Sequence, residues 1–317
     1  DFVPSRGLGD VYKRQRLQFA LLQKIPVQDA NQTFIVERGD SLYGILSNLE
    51  EKYNLSSTWW IRFKYMFKES PVIKAGRYNI FPNTTVSELI ERFEDGDVQL
   101  FKIAIIEGTV AKNNLVNLEN IIEDQNLNFE VPQSVRDIFA KEALIMPDTY
   151  FFSDAQDLKK VLNNSKLFLD EYLNNAWKEK SKNNPLQSPY EALVLASIIE
   201  REAVLPSEQE KIASVFLSRL NIDMKLQADP TSSYGFYGDY GKKIGRAVLD
   251  DKNPYNTYQN KGLPPGPICY PSKGAIDAAI KSSPGEFYYF VAKGDGSHIF
   301  SKTYEEHNKA VKKYIYS

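Results

Sequence analysis

One helical segment, residues 188–204, constrains this chain more than any other stretch of its sequence. It reads SPYEALVLASIIEREAV, and every residue at positions 192–199 is apolar except Ser197. Ser188 and Glu191 have the spacing of a capping box, and the proline after Ser188 fits the first helical position, where its missing N–H is not needed. A helix that is apolar nearly all round has to be buried. The sequence therefore predicts a domain built around this helix.

The predicted helix ends in two glutamates that face different ways. At about 100° per residue, Glu202 lies on an apolar face and Glu200 lies roughly opposite. The apolar residues of that face are Leu195, Ile198 and Ile199. A carboxyl held against an apolar stripe loses hydration, which raises its pKa towards the range of a general acid. We therefore predict that Glu202 is the catalytic acid; the alternative is that the helix simply ends in solvated glutamates.

Two other polar residues of the helix are predicted to support the site. Glu200 points away from Glu202, so we expect it to orient a neighbour or to join a buried hydrogen-bond network. Ser197 is the single polar side chain within the apolar run and is the second supporting residue. Beyond the helix, Ser207 and Glu210 repeat the capping-box spacing and predict the start of a second helix.

Polar segments that follow these helices carry side chains able to hydrogen-bond a sugar. They are LQADPTSSYG at 226–235, which predicts a loop, NPYNTYQNKGLPPGP at 253–267, and a third segment at 288–311. Tyrosines suit a carbohydrate groove because the ring covers an apolar sugar face while the hydroxyl stays polar. The candidate substrate-binding residues are Gln227, Asp229, Thr231, Tyr255, Asn256, Thr257, Tyr258 and His298. For His307 we favour a hydrogen-bonded structural role; the alternative is that it is a groove residue.

The first third of the chain predicts a small module of mixed structure. From Thr33 the pattern indicates a strand, a turn and a helix that Ser41 can cap. A second helix around 59–67, a strand at 73–81 and a capped helix ending at Gly96 follow. This strand–helix–helix–strand order resembles a LysM-like module, a fold that often grips N-acetylated glycans. The alternative is a small packing domain without a ligand.

Composition excludes several classes of function. Lysines and arginines (39) nearly balance aspartates and glutamates (41), and no basic block stands out, which argues against a nucleic-acid partner. One cysteine, Cys269, cannot form an internal disulfide. One cysteine and two histidines supply few ligands for zinc, so we expect neither a metal nor another cofactor.

Seven motifs in a fixed order give a specific resemblance. They are IKAGRYNI, MPDTYFF, LASIIERE, LQADPT, YNTY, GLPPGPI and FVAKGDGSHIFSKTYEEHN. Together they resemble the endolytic murein transglycosylases of the MltG (YceG-like) family, over residues 33–311. The resemblance implies that the last acid of LASIIERE, Glu202, is catalytic. The chain departs from the family pattern at Ile-Cys-Tyr-Pro, residues 268–271, where small or polar residues are more usual before the proline.

The resemblance implies an α+β protein that cuts the bond between N-acetylmuramic acid and N-acetylglucosamine within peptidoglycan glycan strands. The product would be 1,6-anhydro ends, which makes the enzyme a lytic transglycosylase and a carbon–oxygen lyase. One alternative is a lysozyme-like hydrolase, which would need a second carboxylate such as Asp229. Another is a non-catalytic protein that binds glycans through the LysM-like module.

The predicted organisation has three parts. They are an N-terminal segment (1–32), a LysM-like subdomain (33–100) and a YceG-like catalytic domain of mixed α/β structure (101–317). Residues 1–15 have neither helical nor strand period and resemble translated adapter sequence; a natural tail is the alternative, and residues 16–32 are predicted to be a connector. The sequence contains no run of the roughly 18 apolar residues that a membrane span needs.

The resemblance also implies a location and partners. A single-pass N-terminal helix in the inner membrane would hold the catalytic domain outside the cytoplasm, in the periplasm, close to penicillin-binding synthases. We expect the native gene to encode this helix upstream of Arg16.

Overall fold

The computed structural model describes residues 6–28, 32–67 and 69–315. The chain divides into two compact units, Asp1–Phe101 and Lys102–Ser317. Helices dominate both units, and the strands form small two-stranded sheets. The molecule is therefore of mixed α and β structure, as the sequence predicts.

The first unit encloses its own hydrophobic core. Its elements are α1 (Arg6–Leu22), β1 (Gln32–Val36), α2 (Leu42–Tyr53), α3 (Trp59–Met66), β2 (Gly76–Ile80) and α4 (Val86–Asp95). β1 and β2 pair antiparallel, with Phe34 opposite Tyr78, and both of these side chains are buried. Ser41 caps α2 through the N–H of Gly44, and Thr85 forms a full capping box with Glu88 on α4. The strand–helix–helix–strand order and both caps were predicted.

The start of the chain differs from the sequence prediction. The residues expected to lack regular structure or to connect domains form α1 from Arg6 onwards and then pack into the first unit. Ala20, Ile25 and Val27 are buried in its core. Helices propagate cooperatively from a packed turn, so the last turn of α1, anchored by the buried Ala20, can extend into a polar stretch whose own pattern is weak. Residues 1–5 and 29–31 of the predicted N-terminal segment lie outside the described residues.

The second unit is built mainly of helices. Its elements are β3 (Phe101–Ala104), which begins at the boundary, α5 (Ala111–Asp124), α6 (Gln133–Ile138), β4 (Thr149–Phe152), α7 (Ala155–Trp177), α8 (Pro189–Glu202), α9 (Gln209–Asn221), α10 (Asp229–Tyr237), α11 (Arg246–Asp250), α12 (Lys273–Lys281), β5 (Tyr289–Ala292), β6 (His298–Ser301) and α13 (Tyr304–Tyr314). A short 3-10 turn at Pro206–Glu208 precedes α9. β5 and β6 pair antiparallel.

The helix that dominates the sequence lies at the centre of this unit. α8 packs against α7, α9, α10 and α12, and all its residues from Ala192 to Ile199 are buried. Its start follows the predicted caps in part: the Ser188 hydroxyl accepts from the N–H of Glu191, 3.2 Å away. The Glu191 carboxylate, however, accepts from the N–H of Gln187 and not from that of Ser188. The central position of α8 fixes where its last residue, Glu202, emerges.

Two local predictions were wrong. α9 begins after the 3-10 turn, and its N-cap, Glu208, makes no side-chain capping bond, so the box expected from Ser207 is not formed. The predicted loop 226–235 is largely the helix α10, with Thr231, Ser232 and Ser233 buried. Their hydroxyls find partners inside the protein, which removes the cost of burying them and permits a polar sequence to form a packed helix.

Candidate active site

Glu202 lies in a recess at the C-terminal end of α8. The recess has a volume of about 390 Å³. Its lining residues come from the ends of α8 and α9, the start of α10, the 253–260 turn and the β5–β6–α13 region: Glu202, Arg219, Leu226, Gln227, Asp229, Tyr258, Tyr289, Phe290, Val291, Ala292, His298, Tyr304 and His307. We call this cavity the Glu202 recess. It combines one central acid with tyrosines and hydrogen-bonding groups.

The surroundings of Glu202 favour its protonated form. Burial raises the pKa of its carboxyl to about 8, and the neighbouring Asp229 carboxylate adds to the rise; Arg219 and Arg201 oppose it. The side chain is nevertheless partly exposed, so a bound molecule can reach it. A carboxyl that keeps its proton at neutral pH in an accessible recess can act as a general acid. The raised pKa is the direction predicted from the apolar face of the helix.

Four of the sequence-predicted substrate residues line the same recess. Gln227, Asp229, Tyr258 and His298 all lie there. The Tyr258 hydroxyl donates to Asp229 over 2.6 Å, and a ring nitrogen of His298 lies 2.7 Å from the Glu208 carboxylate. These bonds fix the orientation of three side chains around the space beside Glu202.

Three other candidates lie in the scaffold behind the recess. Thr231, Asn256 and Thr257 are almost completely buried and do not line it. The Asn256 amide donates to three backbone carbonyls, those of Val248, Leu249 and Asp251, and its oxygen accepts from Ser232 and from the N–H of Tyr258. Thr231 and Thr257 bond to each other. Their polar groups are satisfied within the protein, so the structure corrects the expectation that they contact substrate.

Tyr255 lies away from Glu202. It lines a different cavity, with Tyr190 and Tyr234, near the N-terminal end of α8. It shares a turn with Tyr258, but the two side chains serve different cavities. Spacing along a turn could not have predicted this separation.

The two predicted supporting residues hold α8 in place. The Glu200 carboxylate accepts from both the N–H and the hydroxyl of Ser272, at 3.0 and 2.5 Å, at the start of α12. The Ser197 hydroxyl donates to Val194 and accepts from the N–H of Ile268. Glu200 therefore joins a hydrogen-bond network, as expected, and both residues tie α8 to the 268–272 segment.

A family model described as the YceG-like family matches residues 34–313. The chain belongs to the YceG-like family. A relative from Bacillus subtilis, named endolytic murein transglycosylase, is 30% identical over an alignment that covers 92% of this chain and 88% of the relative.

Two less similar proteins, one of them with a solved structure, also match this chain. An endolytic murein transglycosylase from Streptococcus pneumoniae strain D39 is 26% identical over 95% of this chain, which spans 62% of that longer protein. The crystal structure of a yceG-like protein from Listeria monocytogenes matches with a TM-score of 0.54 and 28% identity, covering 88% of this chain and 98% of that one. The fold described above is thus shared with a solved YceG-like structure.

Arg219 is a residue of this YceG-like site that sequence reasoning missed. It is buried, its Nε donates to the carbonyl of Tyr288 over 2.7 Å, and its Nη1 donates to the carbonyl of Leu226. It therefore joins α9 to two segments that line the recess and places a positive charge near Glu202. An arginine among the apolar residues of SVFLSRL was the available signal, because an arginine is rarely buried without partners.

His307 differs from its expected structural role. Its Nδ1 is buried and has no hydrogen-bond partner among the described residues, and its ring stacks on Tyr289 with centroids 5.3 Å apart. Burial, and secondarily Arg219, lower the pKa of this histidine below its usual value, so it is neutral at neutral pH. The ring lines the Glu202 recess as an uncharged group.

Within the described ranges, no three His, Cys, Asp or Glu side chains are grouped so that they could hold a metal ion. Nor does any helix among those residues combine the length and apolar character needed to cross a membrane.

Proposed function

We propose that this protein is an endolytic murein transglycosylase in which Glu202 is the catalytic acid. The observation that carries the proposal is a carboxyl with a pKa near 8 at the end of a buried helix, inside a recess lined by tyrosines and polar groups. The names of the Bacillus and Streptococcus relatives support the same activity. Gln227, Asp229, Tyr258 and His298 would position the sugar beside Glu202.

One acid is sufficient for the proposed reaction. Glu202 first donates its proton to the glycosidic oxygen between N-acetylmuramic acid and N-acetylglucosamine, and the bond to the leaving sugar breaks. The resulting carboxylate then takes the proton from the 6-hydroxyl of the muramic acid, whose oxygen bonds to the anomeric carbon. An internal nucleophile has a high effective concentration, so no water is consumed and a 1,6-anhydro end results.

A lysozyme-like hydrolase is the second candidate, and one observation favours it. Asp229 lies in the same recess as Glu202 and raises its pKa, so a second carboxylate is present where a water could be activated. Digestion of sacculi in oxygen-18 water separates the two reactions by mass spectrometry. We expect unlabelled muramic ends that are lighter than reducing ends by one water. Labelled reducing ends as the main product would establish the hydrolase instead.

Replacement of the acid tests the role of Glu202. We expect Glu202→Gln to abolish cleavage, with turnover lower than that of the wild type by a factor of about 10² or more, because an amide of similar volume cannot donate the proton. Glu200→Gln should reduce activity less, and Glu210→Gln, an exposed glutamate on α9, is the matched control. Turnover on isolated sacculi and thermal melting are measured together. Near-wild-type turnover by a folded Glu202→Gln protein would remove Glu202 from the mechanism.

The first unit supports a role in substrate binding. Its β1–α2–α3–β2 order matches that expected of a LysM-like module, which we propose grips the N-acetylated glycan. We also propose that the catalytic unit works outside the cytoplasm, tethered to the inner membrane near penicillin-binding synthases. The family resemblance supports both statements.

A further inference from the structure

The catalytic unit contains a second cavity, larger than the Glu202 recess. It has a volume of about 810 Å³, against about 390 Å³, and its walls include Tyr190, Leu193, Tyr234, Tyr255 and Gly266. We call it the Tyr190 recess. It lies at the N-terminal end of α8, which at 1.5 Å per residue is about 20 Å long. Leu193 is on the face of α8 opposite Glu202, so the two cavities are separate.

Two tyrosines give this cavity a flat apolar face and a free polar group. Tyr190 is 55% exposed, and its hydroxyl donates to the carbonyl of Pro265 at 3.4 Å. A side-chain carbon at Gly266 would lie 3.2 Å from the hydroxyls of both Tyr190 and Tyr255, so the glycine allows these hydroxyls to converge. Within the described part of the chain, the Tyr255 hydroxyl forms no hydrogen bond. It is available to a ligand.

The charges around the cavity are nearly balanced. The charged lining residues are Lys141, Lys166, Asp170 and Glu142, and burial raises the pKa of Glu142 to about 7, so this carboxyl is only partly ionised at neutral pH. Both oxygens of Glu142 are already engaged, one by the hydroxyl of Tyr234 at 3.2 Å and the other by the N–H of Ala111 at 2.7 Å. Because neither sign of charge dominates, the cavity matches an uncharged ligand with hydrogen-bonding groups better than a strongly charged one.

We propose that the Tyr190 recess is a second binding site for an N-acetylated amino sugar, separate from the Glu202 recess and without a part in bond cleavage. The apolar face of such a sugar stacks on Tyr190, and its hydroxyl or acetamido groups bond to the Tyr255 hydroxyl. The inference rests on the proposed function, whose substrate is a polymer of these sugars. A second contact raises the effective concentration of substrate at the first.

Sugar binding in the Tyr190 recess can be measured by fluorine NMR of its tyrosines. The Glu202→Gln protein is prepared with fluorotyrosine and titrated with the disaccharide of N-acetylglucosamine, while the fluorine resonances are followed by NMR. Tyr190→Phe and Tyr255→Phe assign the two signals, and Tyr258 reports on the Glu202 recess. We expect saturable shifts at Tyr190 and Tyr255, and Tyr190→Ala should weaken the binding reported by Tyr255 roughly tenfold. Phe151→Ala is the matched control, because Phe151 is an aromatic residue of β4 that is 53% exposed and lines neither cavity.

Two results would overturn the inference. One is saturation of the Tyr258 signal with no change at Tyr190 or Tyr255. The other is an equal loss of affinity in Tyr190→Ala and Phe151→Ala. Failure of the proposed function would give a different result. The wild-type protein would cleave no strands but would still bind the sugar in a way that depends on Tyr190. That outcome would support the second site and contradict the enzymatic activity.

Kinetics of the active protein, with Glu202 intact, show whether the sugar in the Tyr190 recess belongs to the strand being cleaved or to a neighbouring strand. If the same strand fills both cavities, Tyr190→Ala raises KM for long soluble strands and leaves kcat near its wild-type value. If a neighbouring strand supplies the sugar, the KM for soluble strands stays constant and retention on intact sacculi falls. Either result supports the second site; the absence of both, with Phe151→Ala as the reference, contradicts it.

Discussion

The carboxyl of Glu202 lies among groups of both charges. The Asp229 carboxylate and burial favour the protonated form, whereas the guanidinium groups of Arg219 and Arg201 favour the ionised one. Burial is the largest of these influences and sets the outcome. The two arginines keep the pKa from rising further, so the group can both give and retake a proton near neutral pH.

The pH dependence of activity follows from this balance. Because the proposed mechanism begins with protonated Glu202, kcat/KM should fall as pH rises through about 8. Initial rates on soluble glycan strands between pH 5 and 10 measure the profile. A rate that climbs steadily from neutral to alkaline pH would contradict a protonated acid.

Stability provides the companion measurement for that profile. A carboxyl whose folded pKa exceeds its unfolded value binds more protons when folded, so the native state loses stability as pH rises from about 4.5 to about 8. Glu202→Gln removes this loss. At pH 8.5 it should raise the free energy of unfolding by about 1–2 kcal/mol, less than the full shift implies because the side chain keeps some contact with solvent. At pH 5, only about half a unit above the unfolded pKa, the gain should be much smaller.

At the level of elements, α10 and the 253–260 turn form one hydrogen-bonded block. Asn256 connects it by bonds to Ser232 on α10 and to backbone carbonyls between Val248 and Asp251. Asp229 and Tyr258, at its surface, reach the Glu202 recess. The buried part of the block therefore sets the position of its exposed part.

Two alanine variants separate these parts. Asn256→Ala leaves several buried groups unpaired and should cost about 2–4 kcal/mol of stability, with activity lost as the block shifts. Gln227→Ala, at the surface of the recess, should weaken activity through substrate positioning and leave the melting temperature within about 1 °C. Thermal melting and turnover on sacculi measure both. Equal melting temperatures for the two variants would contradict the assignment of Asn256 to the scaffold.

Sequence patterns predicted the elements whose signals are local. The apolar run of α8, its Ser188 cap and the caps on α2 and α4 follow from spacing alone. α10 was missed because its hydroxyls are paired by partners distant in the chain, such as Thr257 and Asn256. The candidate site was predicted in part for the same reason. The local pattern of α8 indicated Glu202, but the positions of the tyrosines depend on the folded chain, which places Tyr258 in the Glu202 recess and Tyr255 in the other cavity.

At the scale of the whole molecule, each of the two units has its own core. One core includes Leu46, Tyr78 and Phe93, and the other includes Leu195, Phe216 and Ile276. The strand–helix–helix–strand order of the first unit was predictable from its turns and caps. The packing of α1 against that core was not, because a stretch with a weak hydrophobic pattern does not indicate which surface it will cover.

The proposed membrane tether gives a prediction at this scale. From the family resemblance we expect the native gene to encode an apolar helix of about 20 residues upstream of Arg16. The genomic reading frame and membrane fractionation of its product are the measurements. A genomic reading frame that encodes residues 1–15 directly before Arg16 and extends no further upstream, with no such helix, would refute the tether.

The raised pKa of Glu202 also has a consequence for inhibition. Transition states of glycosidic cleavage carry positive charge on the sugar, and many inhibitors imitate it with a protonated nitrogen. Such a cation would pair best with ionised Glu202, so its binding would drive a proton out of the recess. Its affinity would therefore increase as pH rises towards 8, while the rate with the natural strand declines. The protonation state of Glu202 therefore decides whether the recess favours a cationic inhibitor or the natural glycan strand.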